Sequence, residues 1–149
     1  MEVLVKRIET EGTAPAPMPF YATMGAAGMD LSAHITEPLL LKKGAMAKVP
    51  TGIAICLPNA ETVAYIYARS GLGIKHGICL SNGVGVVDSD YRGEICVGLI
   101  NLGPEDYTIE PGERIAQMVI APVIRAELTE VSELPETERG AGGFGSTGK

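Results

Sequence analysis

Residues 82–93 read Asn-Gly-Val-Gly-Val-Val-Asp-Ser-Asp-Tyr-Arg-Gly, an order that could serve chemistry on a small planar ligand. Asn82-Gly83 supports positive φ and a tight reversal, leaving backbone N–H and C=O groups free to meet a ligand. The apolar pair Val86-Val87 follows, and the segment is expected to form a β-hairpin with a strand over 85–87. Asp88 and Asp90 come next, with Tyr91 directly after them. A carboxylate beside a flat ring could hold a planar molecule and a water together, and two carboxylates could form a catalytic pair. The plain alternative is a turn without a ligand.

Three other clusters carry polar chemistry. Ala27-Gly28-Met29-Asp30-Leu31-Ser32 places a carboxylate at the start of a strand, where it could equally cap its own backbone. Arg69-Ser70-Gly71-Leu72-Gly73 ends an apolar strand with a cation, a hydroxyl and glycines, groups suited to phosphate oxygens or to an ordinary surface turn. In Pro111-Gly112-Glu113-Arg114-Ile115-Ala116-Gln117, the amide of Gln117 should share a strand face with Ile115 and Val119, an odd place without a partner. Arg114 could be structural, pairing with Asp30 or Glu113. His34 and His76 lack a nucleophile at motif spacing and read as ordinary polar residues. No His, Cys or Glu cluster suits zinc, so any metal would be a hard cation such as Mg²⁺ held mainly by substrate phosphates and water.

The elements that must position these groups are short. Strands are expected over 3–8, 29–33, 39–41, 47–56, 62–68, 77–80, 85–87, 94–101, 107–109 and 114–122, with a single helical piece over 71–75. Their spacing and β-branched content predict an all-β sandwich or barrel. Val63–Tyr67 and Ile95–Ile100 are apolar on both faces. In one small antiparallel domain that implies a face covered by another subunit, hence a homo-oligomer.

Composition narrows the class. The 149 residues suit one domain, and 18 acidic against 12 basic side chains give a net charge of −6. That balance argues against a protein whose main partner is nucleic acid. No apolar run approaches the ~20 residues of a membrane span, so no membrane partner is expected and the protein reads as cytoplasmic. Cys56, Cys79 and Cys96 are scattered and read as reduced, buried thiols. The end, Arg139-Gly140-Ala141-Gly142-Gly143-Phe144-Gly145-Ser146-Thr147-Gly148-Lys149, holds one Phe among glycines, with an Arg at its start and a Ser-Thr pair near its end. Alone it should be a mobile tail, although glycine-freed N–H groups with those side chains could cradle an anion.

Five segments in this order, 27–32, 69–73, 82–93, 112–117 and 139–148, resemble the five motifs of the trimeric deoxyuridine triphosphatases (dUTPases). The resemblance implies a jelly-roll-like β domain over 1–128 and a C-terminal arm over 129–149 that closes over an active site. It implies a homotrimer with sites between subunits, and cleavage of dUTP to dUMP and pyrophosphate with Mg²⁺, lowering dUTP and supplying dUMP for thymidylate synthesis. By the same resemblance Asp88 is the general base. Asn82, Gly85, Val86 and Val87 read uracil, and Tyr91 packs under deoxyribose and excludes a 2′-hydroxyl. Arg69, Ser70, Gly71 and Gln117 meet phosphates, and Asp30 helps hold the hydrated Mg²⁺. Phe144 lies over uracil, with Arg139, Gly145, Ser146 and Thr147 belonging to the closing arm. Asp90 then becomes structural, while Arg92 and Glu94 are solvent-facing or interfacial. A dCTP deaminase, or a bifunctional deaminase–triphosphatase, shares the fold, and a non-catalytic nucleotide sensor is the alternative of another class.

Overall fold

The computed structural model describes residues 1–9, 11–12 and 14–143. The expected runs form β1 (Leu4–Arg7), β3 (Met29–Ser32), β4 (Leu39–Leu41), β5 (Met46–Pro50), β6 (Ile53–Cys56), β7 (Thr62–Ala68), β8 (Ile78–Leu80), β9 (Gly85–Val87), β10 (Cys96–Asn101), β11 (Tyr107–Ile109) and β12 (Arg114–Pro122). A two-residue β2 (Phe20–Tyr21) and the helix α1 (Ser70–His76) complete the described elements. The fold is all-β and jelly-roll-like, with antiparallel pairing in every described ladder.

Two departures from the sequence pattern matter. The run expected as one strand over 47–56 is two, because Gly52 sits at φ 67° between them. A left-handed residue cannot continue a strand, so the chain turns there and β6 leaves β5 to pair with β1. The second concerns 82–93, which does not form a two-stranded hairpin. β8 pairs with β10 in a three-stranded sheet, whereas β9 pairs with β7 at the edge of a five-stranded sheet ordered β2-β3-β12-β7-β9. The Asn82-Gly83 turn, with Gly83 at φ 74°, therefore carries the chain from one sheet to another.

The core draws on all of these ladders. Leu31, Leu41, Val49, Ile53, Ile78, Leu99, Ile109, Ile115 and Met118 are almost fully buried. The buried Asn101 joins three segments: its amide nitrogen donates to the carbonyls of Leu41 and Glu105, and its oxygen accepts from Gly103 N–H. Each buried polar atom of that side chain thus has a partner, as burial requires. After β12 the described chain carries no further strand or helix, and residues 124–141 are exposed.

Candidate active site

Three antiparallel strands bring the phosphate-type groups together. Asp30, Gln117 and Tyr67 are direct partners across β3, β12 and β7, so their side chains share one face of the sheet. The bulge between Arg114 and Ala116 corrects the expected alternation of β12. It turns both Ile115 and Ala116 into the core, and Gln117 shares its face with Val119 alone. The Gln117 amide donates to the carbonyl of Ala68 at 3.0 Å, which answers the question of its partner.

Asp30 holds two cations at once. Arg69 Nε donates to its Oδ1 and Arg114 Nη1 to its Oδ2, both at 2.9 Å. Arg69 Nη1 also reaches the Arg114 carbonyl at 3.1 Å. Two guanidiniums and one carboxylate leave the cluster with one net positive charge, and Arg114 is half-exposed with donors to spare. Asp30, Arg69, Ser70, Gly71, Arg114 and Gln117 line one open cavity of about 370 Å³. Arg114 is the residue in it that sequence reading left as structural; its pairing with Asp30 is as expected, but its placement in the cavity could not be read from one segment.

A latch fixes the turn that delivers Arg114. The Tyr107 hydroxyl donates to Glu113 Oε1, while Glu113 Oε2 accepts from Glu110 N–H at 2.9 Å. The ring of His76, at the end of α1, packs on Tyr107 with centroids 4.8 Å apart. Burial pushes the Tyr107 phenol from 10.0 up to about 12, with the hydrogen bond to Glu113 and the charge of that carboxylate adding to the effect. Folding thereby favours the neutral phenol, so the stabilisation is fully present below the unfolded pKa and is lost as pH rises through about 12. An alkaline absorbance titration should carry a late tyrosine step near pH 12 that Tyr107→Phe removes.

The base-type groups gather elsewhere. Asn82, Gly85, Val86, Val87 and Tyr91 line a second cavity of about 260 Å³, together with Lys48, Glu94 and Cys96. Burial pushes the Cys96 thiol up and the charge of Glu94 adds to this, opposed by Lys48. All three cysteines are free and half-buried rather than fully buried. Arg92 and Glu94 do more than face solvent: Arg92 Nη1 donates to the carbonyls of Ser89 and Tyr91 at 2.7 and 2.9 Å, and Glu94 Oε1 accepts from Gly52 N–H at 2.7 Å. His34, expected to be ordinary, is buried with Nε2 on the Ala14 carbonyl.

The two cavities share no lining residue. Ile66 lines the second and Tyr67 the first. Consecutive strand residues point to opposite faces, so Ile66, with its partner Gly85, faces away from Tyr67, whereas Val86, the partner of Tyr65, shares the Tyr67 face. Asp88 is exposed and lines neither. Arg139 is exposed, with Nε on the Gly142 carbonyl. Phe144, Gly145, Ser146 and Thr147 lie outside the described residues.

Among the described residues no group of three His, Cys, Asp or Glu side chains could hold a metal ion. Asp30, the carboxylate expected to help, has an arginine on each oxygen. Asp30 is the carboxylate of this cavity that would meet the water shell of a cation arriving with a polyphosphate.

The fold and the first cavity define an all-β protein that offers paired guanidiniums, a hydroxyl and an amide to an anion of several oxygens. A family model described as dUTPase matches residues 14–148. The deoxyuridine 5′-triphosphate nucleotidohydrolase of Desulfitobacterium hafniense is 54% identical over 131 residues, covering 88% of this chain and 87% of that protein. That of Coxiella burnetii is 48% identical over 149 residues, covering 100% and 95%. A Staphylococcus bacteriophage 80alpha dUTPase, the G164S mutant with dUpNHpp, superposes with a TM-score of 0.86 at 27% identity over 99% of both chains. The chain belongs to the dUTPase family.

Proposed function

We propose that this chain hydrolyses dUTP to dUMP and pyrophosphate at a site shared between copies of itself, with Asp88 as general base. The observation that carries the reading is the Arg69–Asp30–Arg114 cluster beside Ser70, Gly71 and Gln117 in one open cavity. Hydrolysis at phosphorus asks for positioning and charge neutralisation rather than covalent help, and that is what these groups supply. Asp88 takes a proton from water as its oxygen bonds to the α-phosphorus; the bond from that phosphorus to the bridging oxygen breaks, and pyrophosphate leaves. Arg69, Ser70, Gly71 and Gln117 hold phosphate oxygens, and Arg114 joins them. Asn82 and the backbone of Gly85, Val86 and Val87 offer uracil its donor–acceptor pattern. Tyr91 lies under the deoxyribose.

A Mg²⁺ bound to the triphosphate would neutralise its charge, with Asp30 contributing through water. Residues 129–149 act as an arm, in which Arg139, Gly145, Ser146 and Thr147 reach the phosphates and Phe144 covers uracil.

The homotrimer is part of the same reading. The two cavities of one chain share no lining residue, so in this reading a base held by one copy meets phosphates held by another. The apolar side chains left at the surface support this: Val86 and Leu4 are each 60% exposed. Incubation with dUTP and with dCTP, assaying pyrophosphate and ammonia separately, tests the substrate. Pyrophosphate from dUTP is expected; ammonia from dCTP would make the chain a deaminase of the same fold, and neither product would make it a sensor.

A further inference from the structure

The ring of Tyr91 is seated by neighbours that sequence reading gave no task. Its hydroxyl donates to the backbone carbonyl of Glu94 at 3.0 Å, and its N–H donates to the Asp88 carbonyl at 3.2 Å. Between these anchors the phenol lies against Gly93. A Cβ added at Gly93 would stand 2.6 Å from Cζ and 3.0 Å from Cε2 of Tyr91, and closer still to the phenolic oxygen. Carbon atoms in contact sit about 3.5–4.0 Å apart, so any side chain at 93 must move the ring. Gly93 is not among the glycines with positive φ, so the backbone itself does not ask for glycine there. The empty space at 93 belongs to the ring.

The Glu94 carbonyl that receives the hydroxyl is itself fixed. Glu94 Oε1 accepts from Gly52 N–H, and the next residue is locked to the β5–β6 turn: Ile95 N–H donates to Ile53, while Thr51 N–H and Oγ1 both donate to the Ile95 carbonyl. Ring position is thus transmitted from a rigid turn through Glu94, with Gly93 as the gap that lets the phenol settle.

We propose that Gly93 and Glu94 are positioning residues that set the preference for a deoxyribose over a ribose nucleotide by holding the Tyr91 ring in place. This rests on the reading of Tyr91 as the surface beneath the sugar. Rejection of a 2′-hydroxyl by a flat wall requires the wall to stay within contact distance. A ring displaced by even part of a methyl group's width opens the space the extra oxygen needs. Pockets that sort substrates by one small group do so by about 10–200-fold, and this is the range that ring displacement can erode.

The test is the ratio of kcat/KM for dUTP to that for UTP in the full-length protein and in Tyr91→Ala, Gly93→Ala, Tyr91→Phe and the two double variants at 91 and 93. Gly93→Ala is expected to lower the ratio at least tenfold. On the Tyr91→Ala background it should change nothing further, because there is no ring left to displace. Tyr91→Phe, which keeps the ring but loses the bond to Glu94, should lower the ratio about threefold. Combined with Gly93→Ala, it should recover part of the loss, since the nearest atom is gone. A wild-type ratio in Gly93→Ala, or an equal loss with and without the ring, overturns the inference. If Gly93→Ala does not fold, an unchanged ratio in Tyr91→Phe overturns it instead. An unchanged ratio in Tyr91→Ala is a different failure, since it removes the sugar contact itself.

Discussion

Asp88→Asn lowers the turnover of dUTP by about 10²–10⁴-fold, the usual contribution of a positioned general base, and leaves substrate affinity within a few-fold of the parent. The structure makes the substitution clean. The Asp88 side chain is exposed, so no buried charge is removed. Its structural task is done by the backbone carbonyl, which accepts from Tyr91 N–H at 3.2 Å and is the same in Asn. Shape and turn therefore survive while the proton acceptor is lost. Single-turnover pyrophosphate release reads the chemical step, and equilibrium binding of dUpNHpp reads affinity. A wild-type rate in this variant would falsify the assignment of the base. Loss of binding along with rate would instead mark Asp88 as a holding group.

Ending the chain at Glu138 has the second largest expected effect. The core is complete by the end of β12 at Pro122, and residues 124–141 are exposed, so little buried area is given up. The truncated protein is expected to keep the thermal midpoint of the full chain. Its kcat for dUTP should fall about 10²–10³-fold, the scale seen when one preorganised donor to developing charge is removed. The removed segment carries Arg139 and the hydroxyls of Ser146 and Thr147, a cation and two donors, while the other groups proposed to meet the triphosphate line one cavity. A thermal melt beside a steady-state assay separates the two claims. Full activity would return 139–149 to a tail without a catalytic task, whereas a lowered midpoint would give it a structural one.

Much of the fold was legible because short apolar runs bounded by Gly, Pro, Asn or Asp, many of them rich in β-branched and aromatic residues, favour strands. Strands 39–41, 62–68, 85–87, 107–109 and 114–122 stand where the pattern put them. What the pattern missed has local causes. Phe20–Tyr21 is too short to carry a period, and the turn at Gly52, φ 67°, splits what was expected as one strand over 47–56. Pairing was the least legible feature. Asn82-Gly83 between apolar runs is the strongest short-range hairpin signal, yet the strands on either side take partners in different sheets. Those partners lie far away in sequence, and no local rule ranks them.

The cluster around Asp30 shows the same division. Each member was visible as a residue type near a turn. That Asp30 would be shared by two arginines, 39 and 84 positions away, depends on the register of β3 on β12 and on the bulge that reorients Arg114. The Tyr107–Glu113 latch and the Gly93 gap were invisible for a related reason. A missing side chain signals a close approach only once the group that approaches is known.

The sequence by itself determined which groups this protein carries: two carboxylates before a ring, an arginine after each of two strand-and-turn signals, and hydroxyls among glycines. Those properties are local, since side-chain type and turn chemistry do not depend on distant partners. Only the tertiary structure decided how the groups are divided. It gathered Asp30, Arg69, Arg114 and Gln117 at one cavity and left Asn82, Gly85, Val86 and Val87 lining another. The physical reason is register: which strands pair, and where a bulge shifts the pairing, sets which distant side chains meet, and no local pattern carries that information.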